Sequence, residues 1–214
     1  FKIDEKINGH PDIPFLESVF QKLLLNFTWW VNRKDRNDNN IFGGGFLGLD
    51  NIGAFDRNTQ FQNGEYLEQA DGTSWMAMFA LNMMRIAMEL ALYNQVYEDM
   101  AIKFFEHYLY IAQAMETIGE KEGLWNDVDG FFYDVLQLKD GTSKNLKLRS
   151  IVGLIPMFAV EIVEHDTLEK LPGFTARMDW ILKNKPDLAK LVSHWEVEGK
   201  GRKHLMSILR KTRI

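Results

Sequence analysis

Acidic and amide side chains cluster in a glycine-rich stretch of the sequence. The run GGGFLGLDNIGAFDR, residues 43–57, places Asp50 and Asn51 among glycines and large apolar side chains. Glycine lets a backbone approach a ligand closely, and apolar neighbours raise the pKa of a carboxyl group by desolvation. A carboxyl group that holds its proton near neutral pH can act as a general acid. Asp50 is therefore the candidate general acid. The carboxylates that follow closely enough to assist it are Asp56, Glu68 and Asp71.

These acids also have a purely structural interpretation. Aspartate is common as a cap of helices and turns. Asp71 precedes Gly72, and Asp56 precedes Arg57, with which it can form an ion pair. On this interpretation the carboxylates stabilise local structure and perform no chemistry. Both interpretations stay open on the sequence alone.

Tryptophan is the residue type best suited to a sugar ligand in this chain. Sugar rings stack on indole faces because these are large, rigid and amphipathic. Trp125 stands in a predicted loop between Gly123 and Asn126, which favours it as a ligand platform. Most large aromatic residues are buried for packing, and we expect this of Trp30 and Trp75.

Metal and nucleophile chemistry have little support. The five histidines show no close pairing in sequence, and the calcium-loop pattern is incomplete around Asp127 and Asp129. The chain contains no cysteine, which excludes disulfides and cysteine-ligated zinc. We expect no metal and no cofactor.

Charge and hydropathy limit the classes of partner. The formal net charge of the 214 residues is −5, whereas nucleic acids and anionic membranes attract clustered Lys and Arg. The longest apolar run, IVGLIPMFAV, has 10 residues and is too short to span a bilayer. We expect no nucleic-acid or membrane partner, and the absence of cysteine favours a cytoplasmic location.

The elements that position these residues are predicted to be helices. Apolar spacing indicates a helix from about residue 15 to 30 and another over 75–93, buried nearly all round. Its polar stripe consists of Asn82, Arg85 and Glu89, and its cap is expected at Thr73 or Ser74. Residues 43–72 before it are predicted to form an ordered loop.

Two further elements complete the prediction. Residues 96–116 have one apolar and one polar face, which indicates an outer helix packed on the inner one. The nearly all-apolar IVGLIPMFAVEIV indicates a second inner helix at about 154–164. A β-hairpin is expected to protrude where KDGTS separates FFYDVLQL from NLKLRS. The resulting fold class is all-α, a toroid of inner and outer helices with a small β-hairpin insertion.

Five segments of the chain resemble glycoside hydrolase family 63. They are GGGFLGLDNIGAFDR, LEQADGTSWMAMFALNMMRIAMELA, YEDMAIKFFEHYLYIAQAM, GLWNDVDGFFYDVL and LRSIVGLIPMFAVE, and the resemblance covers most of residues 15–165. This family contains processing α-glucosidase I and its bacterial glucosidase and mannosylglycerate hydrolase relatives. The resemblance implies a catalytic domain that is an (α/α)6 barrel, here a partial one, and an inverting glycosidase acting on α-glucosides or related small glycosides.

The resemblance also implies roles for individual residues. The general acid of the family is the aspartate of a G-x-D-[ND] motif, which Gly48-Leu49-Asp50-Asn51 matches. Family members often carry Ser-Gly or Glu-Ser-Gly before that aspartate, and this chain departs from them with Leu47-Gly48. The catalytic base of the family lies far toward the C-terminus, beyond anything matched here. The substrate-binding residues that we expect are Asn51, Glu68, Gln69, Asp71, Trp125 and Arg149.

The resemblance sets the expected organisation. Residues 1–214 are expected to form a single helical domain that is part of a longer (α/α)6 catalytic domain. The expected partners are a carbohydrate substrate and either a second copy of the chain or a missing C-terminal half of the barrel. The alternative is a non-catalytic helical-toroid fragment that binds carbohydrate or a partner protein.

Overall fold

The structure is a computed structural model. It describes residues 1–32, 40–42, 49, 52–56, 59, 61, 64–118, 121–191 and 199–209. The glycine run 43–48, Asp50 and Asn51 lie outside the described residues, so the prediction of an ordered loop over 43–72 is tested only at its edges. Within the described part, no helix is both long and apolar enough to cross a membrane.

Helices make up most of the described chain. The α-helices are α1 Lys2–Asn8, α2 Ile13–Val31, α3 Ala70–Ala91, α4 Val96–Glu116, α5 His165–Glu169, α6 Pro172–Asn184 and α7 Pro186–Ala189. A 3-10 helix spans Ile151–Phe158. The predicted helices at 15–30 and 96–116 are confirmed as α2 and α4, because their apolar spacing follows the helical period closely.

Short antiparallel strands accompany the helices. They are β1 Tyr66–Glu68, β2 Thr117–Ile118, β3 Lys121–Glu122, β4 Trp125–Asn126, β5 Phe131–Phe132, β6 Asp134–Gln137, β7 Ser143–Leu146, β8 Val160–Glu164 and β9 Lys203–Ser207. A three-stranded sheet has the order β1-β6-β7, and two-stranded sheets pair β2 with β3, β4 with β5 and β8 with β9. The predicted hairpin is confirmed as β6 and β7.

The all-α prediction, with its partial helical barrel, is wrong. The fold of the described residues is mixed α/β, with helices dominant, one strand before α3 and eight strands in the second half of the chain. Strands of two to five residues carry too few side chains to show a period of their own. Their pairing partners supply the hydrogen bonds that define them, and most of those partners cannot be recognised from local sequence.

Helix α3 is the centre of the core. It packs against α2, α4 and the 3-10 helix, and its buried side chains include Met76, Leu81 and Met84. It buries a larger share of its residues than α4 does, as the prediction of inner and outer helices requires. Of its polar stripe, Asn82 is exposed, Arg85 pairs with Glu164 at 2.7 Å, and Glu89 is buried against Lys2.

The start of α3 differs from the prediction. The helix begins at Ala70, whose backbone N–H donates to Asp134 Oδ1 at 2.8 Å. Thr73 and Ser74 do not cap it: their hydroxyl groups donate back to the carbonyl oxygens of Gln69 and Ala70 within the first turn. The cap comes from a strand 64 residues away in sequence, so local capping rules place the start too late.

The second predicted inner helix is also wrong. The segment is a 3-10 helix up to Phe158 and then strand β8, which pairs with β9 in the register Val160↔Ser207 to Glu164↔Lys203. Gly153 lies so close to the Phe131 ring and the Phe132 carbonyl that a Cβ would overlap with both. A continuous apolar run does not by itself distinguish a buried helix from a strand, and here the partner β9 decides.

The hydroxyl group of Tyr108 is buried without a hydrogen-bond partner among the described residues. The residue is 0% exposed, and burial raises the pKa of its phenol well above the usual value. An unsatisfied buried polar group costs about 1–3 kcal/mol. Tyr108→Phe removes that group at nearly constant shape. We therefore expect the free energy of unfolding, measured by urea denaturation, to stay level or rise by about 1 kcal/mol.

Tyr97→Phe is the matched control. The Tyr97 hydroxyl donates to Glu17 Oε1 at 3.1 Å, so its removal should lower the free energy of unfolding by about 0.5–1.5 kcal/mol. If Tyr108→Phe instead destabilises the protein as much as Tyr97→Phe does, the Tyr108 hydroxyl makes a stabilising bond and this assignment is wrong.

Candidate functional site

Both ends of the glycine run are attached to the first turn of α3. On the upstream side, Phe42 N–H donates to Thr73 Oγ1 at 3.1 Å, and Gln69 N–H donates to the Phe42 carbonyl at 3.4 Å. On the downstream side, Leu49 N–H donates to Asp71 Oδ2 at 2.6 Å. The residue directly before Asp50 is therefore held at the N-terminus of a buried helix.

Asp71 is the anchor of this arrangement. It is 0% exposed, and its second oxygen, Oδ1, accepts from Gly72 N–H at 2.8 Å. The N-terminus of a helix carries a partial positive charge that favours a carboxylate there. Because both oxygens accept backbone hydrogen bonds, Asp71 holds the loop and does not present a free oxygen pair to a ligand.

Glu68 and Gln69 lie immediately before α3. Each is 1% exposed, and Glu68 Oε2 accepts from Gln137 Nε2 on β6 at 2.7 Å. The amide nitrogen of Gln69 has no hydrogen-bond partner among the described residues. A buried amide donor without a partner is unusual in folded proteins, and it is a donor that a ligand hydroxyl or an ordered water can satisfy.

The downstream part of the same motif lies against the three-stranded sheet. Gly53 and Ala54 form one wall of a narrow cleft, and the other wall comes from the sheet and the segment after it. The residues of that second wall are Phe132, Tyr133, Asp134, Leu146, Leu148, Ser150 and Val152. Asp134 also caps α3, so the cleft and the anchored loop end meet at the same helix N-terminus.

Arg149 lies at the rim of the cleft, between Leu148 and Ser150. Its Nε donates to the Tyr133 hydroxyl at 3.3 Å, and its Nη2 to the Asp129 carbonyl at 3.5 Å. The side chain is 65% exposed. A hydrogen bond from Lys147, followed by the charges of Lys147 and Arg149, lowers the pKa of Asp129. Two cations, Lys147 and Arg149, thus flank the cleft residue Leu148 in sequence.

Trp125 has a different environment from the one expected. The residue is 9% exposed, its Nε1 donates to Asp127 Oδ1 at 2.7 Å, and its ring meets Phe132 edge-on at 4.8 Å. Its loop position in sequence is strand β4, which pairs with β5. An indole enclosed in this way packs against the wall residue Phe132 and offers no open face for stacking a sugar.

The expected site residues therefore fall into three groups. Glu68, Gln69 and Asp71 lie together at the start of α3, beside the anchored Leu49. Arg149 lies at the rim of the cleft and Trp125 is buried behind its wall. Asp50 and Asn51 lie outside the described residues, and the sequence links them directly to Leu49.

The sequence analysis did not predict two groups of side-chain contacts that the structure shows. Asp134 and Gln137 contact the first turn of α3 and Glu68, and the signal was an acid within the apolar run FFYDVLQL, where an unpaired charge is costly. His165 Nδ1 lies 3.1 Å from His204 Nε2. No sequence signal joins these histidines, which are 39 residues apart and meet because β9 pairs with β8.

Comparison with known proteins adds one relative. The chain is 45% identical over 227 aligned residues to the uncharacterized protein YMR196W of Saccharomyces cerevisiae. The alignment takes in 100% of this chain and 21% of the yeast protein, so the chain spans about a fifth of that relative's length. No protein-family model matches the sequence.

Proposed function

We propose that this chain is the general-acid-bearing part of an inverting α-glycosidase that hydrolyses α-glucosides or related small glycosides. Asp50 protonates the glycosidic oxygen as the bond to the sugar breaks. The observation that carries the proposal is the 2.6 Å hydrogen bond from Leu49 N–H to the buried Asp71 carboxylate. It holds the residue next to Asp50 on a rigid helix N-terminus.

Anchoring of this kind is what a general acid requires. Proton transfer to a leaving group depends on a side chain held within hydrogen-bond distance of that oxygen. Fixed geometry contributes strongly to rate, because misplacement by about 1 Å costs about 10²-fold. A catalytic aspartate on an unanchored glycine-rich loop would lose this contribution. The attachment at Phe42 and Leu49 supports a catalytic interpretation of the motif over one in which it is only a turn.

The remaining roles follow from hydrogen-bonding capacity. Asn51 supplies an amide group to sugar hydroxyls. Gln69 is 1% exposed and supports the site from within the fold. Arg149 supplies charged donors at the rim. Glu68 and Asp71 position the site without contacting the sugar. Glu68 accepts a hydrogen bond from Gln137, and Asp71 accepts one from Leu49 N–H. We give Trp125 no stacking role, because it is buried.

The water-activating base is assigned to further polypeptide. Inverting glycosidases hold the two carboxyl groups about 6.5–9.5 Å apart so that a water fits between the base and the sugar. Asp71 is 0% exposed and accepts two backbone hydrogen bonds, and Glu68 is 1% exposed with Oε2 bound to Gln137. Neither buried carboxylate is therefore assigned as the base. The yeast relative is about five times as long as the aligned region, which leaves ample polypeptide for a base. The absence of cysteine supports a cytoplasmic location for this enzyme.

A hydrolysis screen tests the proposal. The longest polypeptide encoded by the reading frame is incubated with α-glucosides, glucosylglycerate and mannosylglycerate, and NMR follows the anomeric configuration of the released sugar. We expect turnover of at least one substrate with inversion. The same preparation of an Asp50→Asn variant corrects for contaminating glycosidases. Absence of turnover on all substrates contradicts the catalytic assignment, and retention of configuration contradicts the inverting mechanism.

A further inference from the structure

One segment of the chain is apolar on every side but buried on only one. In the sequence IVGLIPMFAVEIV, residues 151–163, Glu161 is the one charged residue. Val152, Ile155 and Val163 face the core and are 0–4% exposed. A segment that is apolar all round is normally buried all round. The opposite side of this one therefore needs an explanation.

The outward side of the 3-10 helix forms a regular apolar edge. Ile151, Leu154 and Met157 are spaced three residues apart, which places them above one another because a 3-10 helix has three residues per turn. Their relative exposures are 52%, 45% and 53%. Phe158, 52% exposed, continues this edge and stacks on Trp75 of α3 at 5.9 Å.

The β8–β9 sheet extends the edge with a second apolar surface. Val160 and Ile162 alternate onto the outward face of β8 and are 44% and 45% exposed. Leu205 of β9 is directly opposite Ile162 in the register and is 42% exposed. We call these seven outward side chains the apolar face. Four lie on the 3-10 helix and three on the β8–β9 sheet: Ile151, Leu154, Met157, Phe158, Val160, Ile162 and Leu205.

The boundary of this surface is charged, and its interior is not. Arg85 of α3 pairs with Glu164 at 2.7 Å and reaches the Ile162 carbonyl at 3.5 Å, next to the last residues of the face. Glu161 is turned away from the outward side chains, and burial raises the pKa of its carboxyl group. An uncharged centre with a polar border is typical of a surface that contacts other polypeptide.

We propose that the apolar face is an intramolecular interface, covered by an apolar surface of further polypeptide from the same protein. The chain matches the yeast protein along its whole length at 45% identity but spans only 21% of it. In a protein as long as the yeast relative, a region of this size needs a surface that joins it to the rest. The apolar face is an extended uncharged surface among the described residues that is suited to this role. The inference uses none of the residues around Asp50, and it shares with the catalytic proposal only the requirement for further polypeptide.

Cysteine labelling tests the interface. The 214 residues contain no cysteine. In each variant, Leu154→Cys or Ile162→Cys, the introduced thiol is therefore the single cysteine of these 214 residues. Val128→Cys is the matched control, since Val128 is 91% exposed on a turn far from the face in sequence. The variants are made in the full polypeptide of the reading frame. Maleimide labelling rates are read by peptide mass spectrometry and normalised to the unfolded protein.

The expected result is protection of the face and not of the control. Thiol labelling depends on exposure, so half-exposed cysteines on an uncovered face should react within about three-fold of Val128→Cys. Under the proposal, Leu154→Cys and Ile162→Cys react at least about ten-fold more slowly than Val128→Cys, at every protein concentration.

Three results overturn the proposal. The first is labelling of the face cysteines as fast as the control, which shows an uncovered surface. The second is protection that disappears on dilution from about 100 to about 1 μM, which shows that a second copy covers the face. The third is a reading frame that adds no residues to the 214. Failure of the hydrolysis screen does not affect any of these outcomes.

Discussion

Asp50→Asn in the active polypeptide should lower kcat by about 10²–10⁴ on a natural glycoside, the range for loss of a positioned general acid. Asparagine is nearly isosteric with aspartate and cannot donate a proton to the leaving oxygen. The loss should be much smaller on an activated aryl glycoside, because a good leaving group departs with little protonation. The measurements are kcat for both substrates, with the melting temperature recorded for each preparation.

Asp56→Asn is the control for this variant. Asp56 belongs to the same motif and has the same side chain, but the resemblance gives it no role as acid. Its kcat should fall by less than about ten-fold on either substrate. Near-full activity of Asp50→Asn on the poor leaving group would remove Asp50 from the role of acid. An equal loss on both substrates would point to binding or folding.

Asp71→Ala should be strongly destabilising. The carboxylate is fully buried and accepts from Leu49 N–H at 2.6 Å and from Gly72 N–H at 2.8 Å. Truncation leaves two backbone donors without this acceptor, at about 1–3 kcal/mol each. We expect the free energy of unfolding to fall by about 2–6 kcal/mol. Asp71→Asn keeps one acceptor oxygen, so its free energy of unfolding should lie between those of Asp71→Ala and the wild type. Urea denaturation measures all three.

Asp187→Ala is the matched control for Asp71. Each aspartate is in the first turn of its helix, but the Asp187 side chain is 81% exposed and forms an exposed ion pair with Lys190. Exposed ion pairs contribute little to stability, so the free energy of unfolding should change by less than about 0.5 kcal/mol. A similar small change for Asp71→Ala would show that the loop is not anchored through this carboxylate.

The two aspartate experiments separate anchoring from proton transfer. Asp71→Asn in the active polypeptide should lower kcat on natural and activated glycosides alike, because it displaces the loop end that carries Asp50. Asp50→Asn should discriminate between the leaving groups. The ratio of the two losses therefore distinguishes a residue that positions the acid from the acid itself.

Some elements could be predicted from the sequence because their information is local. Helices α2 and α4 and the body of α3 repeat apolar side chains at the helical period over about five turns, which few other structures accommodate. The β6–β7 hairpin has its turn residues Asp140-Gly141 between two strand-like runs. The role of Asp50 stays a prediction from the sequence, because residues 43–48, Asp50 and Asn51 lie outside the described residues.

Contacts between residues far apart in sequence determined features that local sequence could not predict. Asp134 moves the start of α3 to Ala70 and brings Asp71 into the helix, so a residue expected in a loop became its anchor. Strand β9 turns residues 160–164 from a predicted helix into a strand. Phe132 encloses Trp125 and removes a predicted sugar platform. In each case the deciding partner is too far along the chain for local propensity or periodicity to include it. Burial and hydrogen bonding are satisfied only in the folded molecule, and there they outweigh local preferences that are worth less than about 1 kcal/mol per residue.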